Sequence, residues 1–166
     1  MTEIYLVRHG QASFDADNYD CLSDLGRQQS SYLGQYFSAR DISFDHVFTG
    51  TQLRHRQTAE AILACQDTSS GAIHAGLNEY DFSALYKAYM DHHPDERDEA
   101  KNGDRRIFYR RLKNALSLWS ENKLPGDLPE NWHEFKDRVR EALDYIRITV
   151  KGPSLVVSSG GAISML

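Results

Sequence analysis

At 166 residues with a formal net charge of −5, the chain is long enough for one domain with a real core, and its charge makes nucleic acid a poor partner. Hydrophobic residues make up 40% and charged residues 26%, the ordinary mix of a globular protein, and no apolar run approaches the roughly 18 residues of a membrane span. Met1 is followed by no signal peptide, and Cys21 and Cys65 have neither metal-ligand nor redox-motif spacing, which together fit reduced thiols in a cytoplasm.

The first predicted element is a short buried strand, Ile4 to Val7, with no polar residue interrupting it. It runs directly into Arg8, His9 and Gly10. In open α/β sheets, ligands bind at the carboxyl ends of the strands. A guanidinium grips phosphate oxygens with a charge that does not titrate away, and a neutral imidazole can carry a phosphoryl group covalently. Gly10 permits a sharp turn and a close backbone approach.

The polar stretch from Ala12 to Cys21 reads as a loop over that strand end. Ser13 lies near enough in sequence to reach a bound phosphate, and equally fits a solvated loop serine. The first helix is predicted from Leu22 to Phe37, with Ser23 as N-cap, Asp24 in the first turn, and Leu25, Tyr32, Leu33 and Tyr36 as its buried face. His46 to Thr49 reads as a second strand. A helix from about Gln52 to Ala64 follows, with Leu53, Ala59, Ile62 and Leu63 facing inward. Strand–helix–strand–helix is the pattern of a parallel sheet with right-handed crossovers.

Arg54 falls in the first turn of that second helix. A cation there is unfavourable unless an anion compensates it, which makes Arg54 a better phosphate ligand than Arg56. Ala72 to His74 suggests a short strand, with His74 at the rim. Asn78 to Asp81 reads as a loop whose two carboxylates, Glu79 and Asp81, either share acid work or are solvated.

Residues 83 to 128 read as a mostly helical insertion. His92-His93-Pro94-Asp95-Glu96 has the composition of a metal site, but Pro94 breaks the helical phase, so a solvated turn is expected. Asp104 to Ser120 forms a helix with Phe108, Leu112, Ala115, Leu116 and Trp119 along one stripe. Arg105, Arg106, Arg110 and Arg111 make a basic patch that is either a solvated face or a rim attracting an anionic substrate. Leu124 to Asp127 is a turn. Trp132, Phe135, Val139, Leu143 and Ile146 mark a long amphipathic helix ending near Thr149, stopped by Gly152-Pro153. Ser154 to Ser158 is a buried strand, and Gly160-Gly161 opens a last helix whose amides offer a phosphate cradle.

Five blocks in this order resemble the histidine phosphatase superfamily, the phosphoglycerate-mutase-like enzymes. They are Leu6 to Gln11, Leu22 to Gln29, Leu53 to Glu60, Leu77 to Glu79 and Leu155 to Gly161. The resemblance implies a three-layer α/β sandwich with a mainly parallel sheet and helices on both faces. It implies that His9 is the phosphoryl acceptor, that Arg8 and Arg54 neutralise the phosphoryl oxygens, and that Glu79 protonates the leaving oxygen. No metal and no cofactor are required, since two guanidiniums supply the positive charge. Ser13, Ser159 and Gly160 are further phosphate-binding candidates.

Two positions depart from the family pattern. A histidine is expected where Ser159 stands. A hydroxyl donates one hydrogen bond without charge, and the charged bond is worth roughly 1.5–3 kcal/mol against about 1 for the neutral one. On that ground, replacing Ser159 with histidine is expected to raise turnover. The chain also stops at Leu166, about one and a half turns into the last helix. The final helix and strand of the family are therefore expected to be missing, and an uncovered sheet edge would favour a homodimer.

The expected activity is a cofactor-free phosphomonoesterase acting on a small phosphorylated substrate or a phosphoprotein through a phosphohistidine. A phosphoglycerate-type mutase and a phosphate-binding protein with little catalysis are the alternatives. No membrane or nucleic-acid partner is expected.

Overall fold

The computed structural model describes residues 3–13, 20–64, 66, 71–96 and 105–165. Cys65, Asp104, Leu166 and the centre of the Ala12–Cys21 loop lie outside the described residues. Two compact units are present: residues 1–79 with 138–166 form one, and residues 80–137 form the other.

The first unit is built on four parallel strands in the order β1-β4-β2-β3, with β1 at Ile4–Arg8, β2 at His46–Thr49, β3 at Ala72–Ile73 and β4 at Ser154–Ser158. The first two helices are α1, Asp24–Ser38, and α2, Leu53–Leu63. The second unit holds α3, Phe82–His92, and α4, Arg105–Ser120. The helix α5, Trp132–Thr149, leads back to β4, and a short α6, Gly160–Ile163, follows.

β4 is the centre of the sheet, and all five of its residues are buried. Its period of two sends Leu155 and Val157 to one face and Val156 to the other. Leu155 and Val157 join Phe37, Phe44, Val47, Ala59 and Ile62 under α1 and α2. Val156 joins Phe48, Leu77, Ala142, Ile146 and Val150 under α5. Two cores on opposite faces of one sheet make the three layers expected from the sequence.

Three expectations need correction. β1 is not a fully buried strand. Among the described residues it is an edge strand, and Leu6 is 40% exposed. α1 turns three of its four predicted inward residues to solvent: Tyr32 is 66% exposed, and Leu25 and Tyr36 are exposed too, while Leu33 packs against the core as expected. It buries Gly26, Ser30, Gly34 and Phe37 instead. The reason is close approach, because a Cβ on Gly34 would collide with the Ile62 backbone of α2, and one on Gly26 with the Gln11 backbone. A helix seated that tightly needs small residues at its points of contact, with Phe37 and Leu33 filling the core beside them.

The third correction lies in the second unit. Arg111 is not part of a solvated basic patch; it is fully buried. It donates to the Glu96 carboxylate at 3.2 Å and to the Glu96 carbonyl. Glu96 also accepts from the Tyr89 hydroxyl at 2.7 Å. A buried guanidinium must be paired, and the acidic end of the His92–Glu96 stretch does that pairing, so this stretch is more than a solvated turn. Arg105, Arg106 and Arg110 remain exposed.

Candidate active site

The carboxyl ends of β1 and β4, the first turn of α2, and the turn from Ala75 to Glu79 meet in the first unit. His9 extends the β1–β4 ladder by one bond, its amide donating to the Ser158 carbonyl at 2.9 Å. The register pairs Arg8 with Ser158, so His9 and Ser159 follow side by side on neighbouring strands.

The His9 ring has one tautomer open to it. Nδ1 lies 2.6 Å from the Gly10 carbonyl oxygen, which can only accept, so Nδ1 carries the hydrogen. Nε2 then carries the lone pair, and it accepts from Arg54 Nε at 3.3 Å. Gly10 is itself pinned, its amide donating to Thr58 Oγ1 at 3.1 Å, while a Cβ there would strike the Gly26 carbonyl of α1. Burial pushes the His9 pKa from 6.5 down to about 4, and the charges of Arg54 and Arg8 add to that. The Gly10 bond and Asp20 oppose the shift without cancelling it. The imidazole is therefore neutral at pH 7, with its lone pair directed at the arginine side.

Arg54 is buried, and the anion that compensates it at the start of α2 is Asp20. Arg54 Nη1 lies 2.7 Å from Asp20 Oδ1, and Asp20 Oδ2 accepts from the Leu53 amide at 2.7 Å. One carboxylate thus pairs the guanidinium and caps the helix, a capping role that the Gln52 side chain leaves open. Arg54 Nη2 donates to Gln52 Oε1 at 2.9 Å. Arg8 differs in being exposed, with its guanidinium carbon 3.6 Å from where a Gly160 Cβ would stand.

Glu79 reaches the same place. Its Oε2 accepts from the Gly161 amide at 3.0 Å. Its backbone is held by several partners. The Glu79 amide donates to Gln52 at 3.2 Å, and Arg138 donates to the carbonyls of Gly76, Asn78 and Glu79 at 3.1, 2.8 and 3.4 Å. Ser158 Oγ donates to the Leu77 carbonyl at 2.6 Å. His74 accepts from the Gly76 amide at 3.1 Å and so caps this turn.

Ser159 is fully buried, and its Oγ lies 2.7 Å from His55 Nε2. The His55 ring centroid is 5.6 Å from that of His9. Burial, then His9 and Arg54, lower the His55 pKa to about 3. Ser13 stands beside the Ala12–Leu22 bridge, where its amide donates to the Cys21 carbonyl at 2.8 Å. The structure therefore gathers Arg8, His9, Arg54, Glu79, Ser159 and Gly160. It shows no hydrogen bond between Ser13 and His9 or Arg54 among the described residues. No group of three or more His, Cys, Asp or Glu among the described residues could hold a metal ion.

The five-block resemblance now has a direct counterpart. The family model described as "Histidine phosphatase superfamily (branch 1)" matches residues 4–166. The chain belongs to the histidine phosphatase superfamily. Among relatives in that family, the "Probable phosphoglycerate mutase GpmB" of Erwinia tasmaniensis is 29% identical over 100% of this chain and 73% of its own length. The protein of the same name from Salmonella choleraesuis is 28% identical over the same shares. Two solved structures share the fold. The alpha-ribazole phosphatase of Shigella flexneri superposes with a TM-score of 0.67 and 23% identity, covering 97% of this chain and 75% of that one. The phosphoserine phosphatase of Entamoeba histolytica does so at 0.63 and 19%, covering 99% and 77%.

Sequence reasoning missed four groups at this candidate site. Asp20 was one of three aspartates in a loop, and Arg54 needed an anion, but nothing local joins them. His55 carried a usable signal, since 55, 59 and 62 follow helical spacing along the buried side of α2. Arg138 carried none, because it works through backbone carbonyls distant in sequence, and Gln52 carried none, because its one oxygen joins the Arg54 side chain to the distant Glu79 amide.

Proposed function

We propose that this chain hydrolyses a small phosphomonoester, without metal or cofactor, through a phosphohistidine on His9. The observation that carries the reading is the His9 tautomer: Nδ1–H is anchored on Gly10, and the Nε2 lone pair points at Arg54. A nucleophile needs that lone pair, and anchoring the other nitrogen fixes the ring for in-line attack.

In the first step Arg54 Nε turns from Nε2 to the incoming phosphoryl oxygen, the freed Nε2 lone pair attacks phosphorus, the N–P bond forms, and the P–O bond to the alcohol breaks. Arg8 and Arg54 balance charge on the phosphoryl oxygens, and Asp20 gives way on Arg54 to the incoming anion. Glu79 gives its proton to the departing oxygen. It then takes a proton from the water that attacks phosphohistidine, releasing inorganic phosphate and restoring His9. The mostly helical stretch of residues 83–128, inside the Tyr80–Asp137 unit, is read as an insertion in a single histidine phosphatase domain, and the cytoplasm as the compartment.

A mutase is the second reading, supported by the names of the relatives at 28–29% identity. One experiment separates the readings. The chain is incubated with phosphorus-32-labelled substrates, including phosphoserine and 3-phosphoglycerate, after exhaustive dialysis against EDTA. The hydrolase gives acid-labile label on His9 and free phosphate. A mutase gives an isomeric phosphoglycerate with little free phosphate. Neither label nor turnover on any phosphomonoester would leave a phosphate-binding protein.

A further inference from the structure

Phosphoryl transfer as proposed uses His9, Arg8, Arg54 and Glu79 and leaves His55 without work. His55 is nevertheless fully buried, one residue beyond Arg54, with Nε2 at 2.7 Å from Ser159 Oγ and its ring 5.6 Å from that of His9. Its Nδ1 is buried with no hydrogen-bond partner. The Gly50 backbone closes over that nitrogen, so that even a Cβ on Gly50 would collide with it. A half-satisfied buried imidazole is a costly way to fill space; an apolar side chain would fill it without the orphaned nitrogen.

The orphan decides the tautomer. An unpaired lone pair is tolerated in protein interiors more often than an unpaired N–H. Nδ1 therefore bears the lone pair and Nε2 the hydrogen, so Nε2 donates to Ser159 Oγ. The hydroxyl, having accepted, keeps its own hydrogen for another acceptor.

We propose that His55 is a positioning residue for phosphoryl transfer: its Nε2–H holds Ser159 Oγ, fixes the Ser158–Gly161 turn to the first turn of α2, and leaves the Ser159 hydroxyl hydrogen to donate to the phosphoryl group. This inference rests on reading the site as a phosphoryl-transfer centre. Its reach follows from what the two elements carry. Arg54 is on α2. Gly160 lies against Arg8, and Gly161 holds the Glu79 carboxylate. This hydrogen bond therefore ties the turn that contacts Arg8 and Glu79 to the helix that carries Arg54, alongside the Gly10–Thr58 and Glu79–Gln52 bonds. The imidazole that the family pattern expects at position 159 is present, but comes from the neighbouring helix.

The test compares 4-nitrophenyl phosphate turnover by the wild type, His55→Leu, His55→Gln, Ser159→Ala and the His55→Leu/Ser159→Ala double variant, with thermal midpoints for each. His55→Leu and Ser159→Ala should each lower kcat by about 10- to 100-fold, the scale of a mispositioned site, with little change in KM. The double variant should fall no further than the worse single one, and His55→Gln, which keeps an N–H at similar reach, should recover most of the loss. A purely structural histidine would move the midpoints without that pattern in kcat. Full kcat in His55→Leu, or losses that multiply in the double variant, would overturn the proposal. Should His55→Leu fail to fold, His55→Gln decides: turnover well above Ser159→Ala supports the proposal, and turnover at or below it refutes it. A wild type inactive on every phosphomonoester removes the parent reading and this inference together, whereas an active wild type with an unaffected His55→Leu removes this inference alone.

Discussion

Arg54 Nε stands 3.3 Å from His9 Nε2 and donates to it. That bond and the Nδ1 bond to Gly10 demand the same neutral tautomer, so two independent contacts prepare one lone pair. His9→Ala should abolish steady turnover while leaving the fold intact. Circular dichroism and a turnover assay on the same preparation check both halves, and sustained turnover would assign the nucleophile elsewhere.

The two histidines also set a pH dependence of stability. Their pKa values fall from 6.5 to about 4 for His9 and about 3 for His55, chiefly through burial. As pH drops below 6.5, the unfolded chain takes up these protons and the folded chain does not. Their contribution is therefore complete above pH 6.5 and is lost as pH falls toward 4 and then 3. Urea midpoints should drop between pH 7 and pH 5, and the drop should shrink in His55→Gln. Equal drops in both proteins would contradict a buried neutral His55.

Asp20 holds Arg54 in the position an anion would take. Asp20→Asn keeps an oxygen to cap Leu53 but removes the competing charge. Inorganic phosphate should then bind about two- to fivefold more tightly, the equivalent of roughly 0.4–1 kcal/mol for a partly exposed pair. Calorimetric titration measures it, and weaker binding would mean that Asp20 orients Arg54 more than it competes. Asp20→Ala, which also loses the cap, should cost about 1 kcal/mol of stability.

Arg138 clamps the three carbonyls around Glu79. Arg138→Met should therefore resemble Glu79→Gln, with losses about tenfold greater for an alkyl phosphate than for a nitrophenyl phosphate, whose leaving group needs little protonation. Equal fractional losses on both substrates would separate Arg138 from the acid role.

Ser159→His alone is now expected to fail rather than to improve turnover. The space beside Ser159 Oγ is filled by His55, so a second imidazole overpacks a closed site at about 1–3 kcal/mol. His55→Ala in the same chain makes room, and the pair should be more stable than Ser159→His alone by thermal melting. A single variant as stable as the wild type would show that the site opens more readily than its packing suggests.

The sequence by itself determined the strands, their βα order and which side chains stand at their ends. Those features are local: an unbroken apolar run, an N-cap, a glycine after a histidine. Periodicity placed Leu33 of α1 inward but Leu25, Tyr32 and Tyr36 wrongly so, because it weighs apolar size, whereas Gly26 and Gly34 are inside for their smallness against Gln11 and Ile62. Only the tertiary structure paired Arg54 with Asp20 across 34 positions and His55 with Ser159 across 104. A hydrogen bond of about 3 Å depends on where two segments cross, and that crossing is set by the whole sheet and its helices, not by the residues that happen to meet there.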